Sequence, residues 1–350
     1  YGGCSSDRTD QVLAPFAEKN YQKHLREFGS VIDDPAKLEA LAVKQTKKDI
    51  YDALQTLEYQ VNTLYSTQGQ TPFVTVGFGL GTSWIEREIQ KDILKIRILG
   101  LGKERRTAIF PKLVFTLKRG LNLKPEDPNY DIKQLAIECA TKRMYPDVVS
   151  YDTIKRLTGS FKAPMGCRSF LQGWTDPKTG KEVNAGRMNL GVITVNLPRI
   201  AMEANGDKAK FWKIFEERMR ICKEGLLYKV ERTKQATPES APILYKYGAF
   251  GHKLADTDSI DDLFKNGRAT VSLGYIGLYE VGTVFYGSAW EKNPDAKAFS
   301  VSIVKALDDH CKAWEKQYGY HFSVYGTPSE SLTDTFCHAR GAGPYKRIAN

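Results

Sequence analysis

Short runs of β-branched and aromatic residues alternate with long amphipathic stretches along most of the 350-residue chain, and this alternation restricts the fold more than any other feature. Strand-like runs fall at 71–76, 108–117 (interrupted by Pro111), 190–195, 241–245, 269–275 and 320–324. Helical periodicity covers 10–28, 35–66, 131–144, 208–234, 259–266, 276–286 and 295–318. Strands that alternate with helices predict an α/β fold with a mostly parallel sheet. No internal repeat, low-complexity tract or linker divides the chain, so residues 1–350 are expected to form one unit with a large core.

Two local patterns sharpen the picture. In the second helical stretch Ile50, Leu54, Leu57, Val61 and Leu64 recur at alternating spacings of four and three, a single stripe that packs on a core or on a partner helix. The strand at 71–76 runs into Gly77, Gly79 and Gly81, then Ser83 and Glu86 at capping-box spacing. The glycine spacing is GxGxG, so a dinucleotide fingerprint is not supported. A tight strand-to-helix passage accounts for it, with approach of the backbone to a substrate as the second account.

Composition excludes several classes. Hydrophobic residues at 41% and charged residues at 26% fit a soluble globular protein. No apolar run approaches the roughly 20 residues of a membrane span and no signal-peptide pattern opens the chain, so the expected location is cytoplasmic. The six cysteines (Cys4, Cys139, Cys167, Cys222, Cys311, Cys337) include no CxxC pair, and the five histidines give no HExxH. Neither a disulfide framework nor a metal site is expected. The net charge of +10 is spread without a basic tract, which favours small phosphate-bearing ligands or a solvated surface over nucleic acid.

The stretch from Ser160 to Arg199 is the candidate for chemistry. Cys167 stands between Gly166 and Arg168, ahead of the short strand at 190–195. A buried structural thiol and a reactive one both fit these residues alone. Asn189 opens the strand, where a neutral amide can donate to and accept from ligand hydroxyls or cap a turn; Asn184 and Asn196 are weaker candidates of the same kind. Near the end, Gly326-Thr-Pro-Ser-Glu-Ser331 combines Thr327 as N-cap, Pro328 at N1 and Glu330 at N3. A helix start of that kind is an anion site or simply a capped helix.

The phrases APMGCRSFL, NLGVITVNLPRIAMEA, NGRATVSLGYIGLYE and YGTPSESL resemble the catalytic subunit of anaerobic (class III) ribonucleotide reductase, a glycyl radical enzyme family. GQTPFVTVGFGLGTSW, AIFPKLVFTLKRGLN and EDPNYDIKQLAIECATKRMYP extend the resemblance over nearly the whole chain. The resemblance implies a ten-stranded α/β barrel of two half-barrels, with a cysteine on a finger loop. It implies reduction of ribonucleoside triphosphates to deoxyribonucleotides, with Cys167 as the thiyl that takes the 3′ hydrogen and Asn189 as a ribose contact. Hydrogen-atom transfer requires close positioning rather than a lowered thiol pKa, so a missing neighbouring base is no objection.

By the same resemblance, Gly326, Thr327, Ser329 and Ser331 hold substrate phosphates, and Lys23 contacts an effector phosphate near a homodimer contact. An iron–sulfur, S-adenosylmethionine-dependent activase, formate as reductant and ATP or deoxynucleotide effectors are implied partners. Three family parts do not match: the N-terminal ATP cone, the C-terminal zinc cysteines and the glycyl radical segment. The chain, which begins at Tyr1, is therefore expected to be the central barrel region, inactive alone. The rivals are a pyruvate formate-lyase-like enzyme, disfavoured by the GTPSES loop and the single cysteine, and a non-catalytic nucleotide or nucleic-acid binder.

Overall fold

The computed structural model describes residues 3–65, 69, 71–166, 170–171, 173–176, 178–265 and 267–328. Two compact units divide the chain, Tyr1–Phe170 and Leu171–Asn350.

In the first unit the order is β1 (Gly3–Ser6), α1 (Thr9–Gly29), α2 (Pro35–Thr63), β2 (Phe73–Phe78), α3 (Trp84–Leu99), β3 (Lys112–Leu117), α4 (Tyr130–Arg143), β4 (Asp147–Ser150) and α5 (Tyr151–Thr158). The four strands form one parallel sheet in the order β1-β2-β3-β4. Helix starts follow the sequence signals. Asp34 accepts from the amides of Ala36 and Lys37 with Pro35 in the first turn, and Ser83 and Glu86 close the expected capping box. Period-two alternation then separates the sheet faces. Val76, Phe78, Leu113 and Phe115 join a buried cluster with Ile50, Leu54, Ile85, Ile89 and Ile93 from the helices. The opposite face carries Thr75 and Thr116, both buried.

The long stripe of α2 divides. Ile50, Leu54 and Val61 are buried in the unit's own core, whereas Leu57 and Leu64 are exposed. On the same packing surface Arg97 of α3 is fully buried and pairs with Glu58 of α2 at 3.0 Å, its Nη2 donating to the Pro111 carbonyl at 2.6 Å. Burial pushes the Glu58 carboxyl up, and the Arg97 charge opposes that shift.

The glycine passage after β2 has a specific occupant. Asp10, wholly buried at the start of α1, places Oδ2 within reach of the amides of Gly79 (3.1 Å), Leu80 (3.2 Å) and Gly81 (2.9 Å), and Oδ1 accepts from Gln11. Successive amides turned to one point bind anions, and here the anion belongs to the chain. Burial pushes the Asp10 carboxyl above its ordinary range although these amides favour the charged form. Tight passage is therefore the correct account of this loop.

In the second unit come a short hairpin, β5 (Trp174–Thr175) and β6 (Glu182–Val183), then β7 (Met188–Asn196), α6 (Leu197–Ala204), α7 (Lys208–Lys234), α8 (Pro242–Tyr245), β8 (Ala269–Ile276), α9 (Leu278–Tyr286), α10 (Pro294–Tyr318) and β9 (His321–Gly326). Strands β7, β8 and β9 make a parallel three-stranded sheet in that order. Residues 241–245, expected as a strand, form the turn of helix α8, because Pro242 supplies a first-turn residue with a preset φ. Residues 259–266, expected as a helix, hold a short 3-10 turn at Ile260–Leu263.

The core of this unit lies on one side of its sheet. Val195, Val271, Leu273 and Phe322 pack with Phe211, Phe215, Leu226, Ile303 and Leu307. By alternation the other face presents Thr194, Thr270, Ser272 and Ser323, with Thr270 and Ser272 almost fully buried. Both units thus follow one plan, an apolar face under helices and a hydroxyl-bearing face opposite. Parallel sheets are as a rule covered on both faces. The mixed α/β class with parallel strands agrees with the sequence reading.

Candidate functional site

The polar face of the β7–β8–β9 sheet brings together two of the residues singled out from the sequence. At its lower end the β7–β8 register slips between Asn189 and Gly191, leaving Leu190 as the extra residue of a bulge. Bulges re-aim a side chain. Asn189 Nδ2 donates to Ser272 Oγ on β8 at 3.1 Å, and its Oδ1 accepts from the Gly191 amide at 2.9 Å. Gly191 adopts φ +144, and the side chain of Lys229 passes over it, so the bulge has no room for a larger residue without a shift. One N–H and one lone pair of the amide are not used by these two bonds.

At the upper end of the same face Thr327 follows β9. Its amide donates to the Tyr275 carbonyl at 3.1 Å, extending the ladder past Gly326. Its hydroxyl lies 3.0 Å from that of Thr194 on β7. Between the two strands Gly274 leaves the space that this pair occupies: a Cβ there would approach Thr194 Oγ1 to 2.7 Å and Thr327 Oγ1 more closely still. Thr194, Gly274 and Ser272 are contributions that motif reading missed. The signal for Ser272 and Gly274 is the period-two alternation of small or hydroxyl residues with apolar ones in the run at 269–275, which becomes specific only once the register is known; Thr194 is a lone hydroxyl in an apolar run.

The approach to Cys167 is described as far as Gly166. In that unit Phe161 stacks on Tyr151 with ring centroids 4.8 Å apart, the Ala163 amide donates to Asp7 Oδ2 at 3.2 Å, and the Gly166 amide donates to Thr75 Oγ1 at 3.0 Å. Thr75 belongs to the hydroxyl-bearing face of its sheet, so the residue before the cysteine is tied to that face. Gly166 has φ +55, a left-handed conformation that glycine takes without strain.

Cys167, Arg168, Ser329 and Ser331 lie outside the described residues, as do Cys337 and the helix start expected after Pro328. Lys23 sits on α1 in the first unit, exposed, with Glu27 at 3.7 Å one turn on. Asn196 serves as the N-cap of α6, accepting from Arg199 at 3.0 Å, which gives it a structural role. Burial pushes the thiols of Cys139 and Cys222 up to about 11 and that of Cys311 up to about 12, so these three behave as small core residues. Among the described residues no cluster of His, Cys, Asp or Glu could hold a metal ion, and no helix is long and apolar enough to cross a membrane.

The geometry defines a parallel α/β protein with hydroxyl- and amide-lined sheet faces and a pinned loop that leads into a cysteine. The profile of the family described as anaerobic ribonucleoside-triphosphate reductase matches residues 1–347, and the chain belongs to that family. It is 51% identical over 340 residues to the anaerobic ribonucleoside-triphosphate reductase of Escherichia coli K12, covering 96% of this chain and 47% of that protein. It is 47% identical over 348 residues to the protein of the same name from Enterobacteria phage T4, covering 96% and 54%. The chain thus spans about half the length of the curated relatives it matches. Among solved structures, the anaerobic ribonucleotide reductase of Thermotoga maritima with citrate in the active site superposes with a TM-score of 0.61 at 20% identity, over 99% of this chain and 58% of that one. The complex of that enzyme with dATP and CTP gives 0.61 at 19% identity, over 96% and 53%.

Proposed function

We propose that these residues form the substrate-holding central part of an anaerobic ribonucleoside-triphosphate reductase, folded within the whole protein as a ten-stranded barrel of two half-barrels. The observation that carries this reading is the polar face of β7–β8–β9, with a fixed amide at one end and a hydroxyl pair opening into the Thr327 loop at the other. A sugar with vicinal hydroxyls suits the first and phosphate oxygens suit the second. Relatives at about half identity bear the name of that activity, which supports the assignment.

In this reading Cys167 removes the 3′ hydrogen atom of the ribose as a thiyl. Asn189 holds the ribose hydroxyls without adding a charge, and Gly326, Thr327, Ser329 and Ser331 hold the phosphates. The pinning of Ala163 and Gly166 suits a sulfur that must stay within roughly 3–3.5 Å of its target. A glycyl radical elsewhere in the protein supplies the oxidising equivalent, with formate as reductant, an iron–sulfur activase as its generator and zinc bound outside this region. Nucleotide effectors and a homodimer complete the assembly, with Lys23 as the effector-phosphate contact. Lys23→Ala is the variant that tests that last role.

The deciding experiment replaces Cys167 by serine in the intact reductase, assayed with its activase under strict anaerobiosis. Deoxyribonucleotide formation is expected to vanish while substrate binding persists. Retained turnover would overturn the assignment.

A further inference from the structure

We infer that Ser272 is a positioning residue for the ribose contact: it fixes which atoms of the Asn189 amide face the substrate. The inference rests on the proposed role of Asn189 and goes beyond it to a residue 83 positions away in sequence.

The argument begins with the bulge. The Gly191 amide can only donate, so the amide atom 2.9 Å from it must be the oxygen of Asn189. The nitrogen then points to Ser272, whose hydroxyl oxygen accepts at 3.1 Å. Two bonds at the two ends of a planar group remove both the rotation about its last torsion and the flip that exchanges oxygen and nitrogen. What remains available is one N–H and one lone pair at defined places, a donor and an acceptor side by side. Vicinal hydroxyls offer the complementary pair.

Ser272 is suited to this role by its own setting. It is 2% exposed, at the centre of the middle strand, paired in register with Val192 and Ser323. A hydroxyl buried there without a partner would be costly, and Asn189 is its partner across the strands. Without Ser272 the amide keeps only the Gly191 bond, and one part-buried N–H loses its acceptor.

The test is a double-mutant cycle in the intact reductase, assayed anaerobically with its activase, over Asn189→Ala, Ser272→Ala and the double variant. Ser272→Ala is expected to lower kcat/KM about tenfold, the effect of one lost hydrogen bond, and Ser272→Cys, similar in size but a weak acceptor, by less. In the Asn189→Ala background the same Ser272→Ala change is expected to cost less than about twofold. Thermal unfolding midpoints of all variants separate loss of fold from loss of function.

Equal losses from Ser272→Ala in both backgrounds, or losses that follow the unfolding midpoint, would overturn the inference and leave the ribose role of Asn189 standing. Full activity of Asn189→Ala would remove that role and the inference together.

Discussion

Gly274 shows how much a single missing carbon can decide. Its absent side chain is the space in which Thr194 and Thr327 meet, so Gly274→Ala is expected to separate the two hydroxyls and shift Thr327. An increase of about tenfold in KM for the ribonucleoside triphosphate is expected, of the order of one good hydrogen bond, with kcat less affected. Steady-state kinetics of the intact enzyme check this, and an unchanged KM would argue against phosphate binding at Thr327. At this scale the sequence was legible only in part. Asn189, Thr194, Ser272 and Thr327 all stand in phrases that resemble the family, but only Asn189 and Thr327 suggested a role from their local setting. A serine or threonine inside an apolar run reads as a solvent-facing strand position, and only cross-strand register brings Ser272 to Asn189.

Among the elements, those with long periodic stripes and side-chain caps were read close to their observed bounds: α2, α7 and α10 begin at Asp34, Asp207 and Asn293 caps. Strands β1 and β4 were missed because four residues give no period to detect, and α6 because it is two turns directly joined to β7. The glycine loop after β2 left two accounts open until Asp10, some 70 residues earlier, was found at its amides. The loop, α1 and the end of β2 therefore form one charge-assisted knot. Asp10→Ala is expected to cost at least about 3 kcal/mol, because three amides lose a common acceptor. Chemical denaturation of the intact protein measures this, and a loss below about 1 kcal/mol would show the knot to be incidental.

For the whole molecule the repeated plan of its two units matters most. Each sheet buries hydroxyls on the face turned away from its helices, and among the described residues the Oγ1 atoms of Thr116 and Thr270 have no hydrogen-bond partner. Hydroxyls this deeply buried stand far from water. In the intact reductase the amides of β2, β3, β7 and β8 are accordingly expected to be among the slowest to exchange with deuterated solvent. Rapid exchange along β8 would mean that its polar face stays open to water. The class of fold could be read from alternation alone, whereas closure into a barrel rests on the family resemblance. The register between distant strands is not written in any one segment.

Asn189 and Thr194 lie five residues apart on one strand, across a bulge, and Thr327 sits beside the second. That separation is about 15 Å of backbone at the usual rise of an extended chain. It is set by ladder hydrogen bonds rather than by side chains that can adjust. If Asn189 and Thr327 hold the two ends of a substrate as proposed, the strand is a fixed length standard: a nucleotide one phosphate too short would reach only one of the two marks.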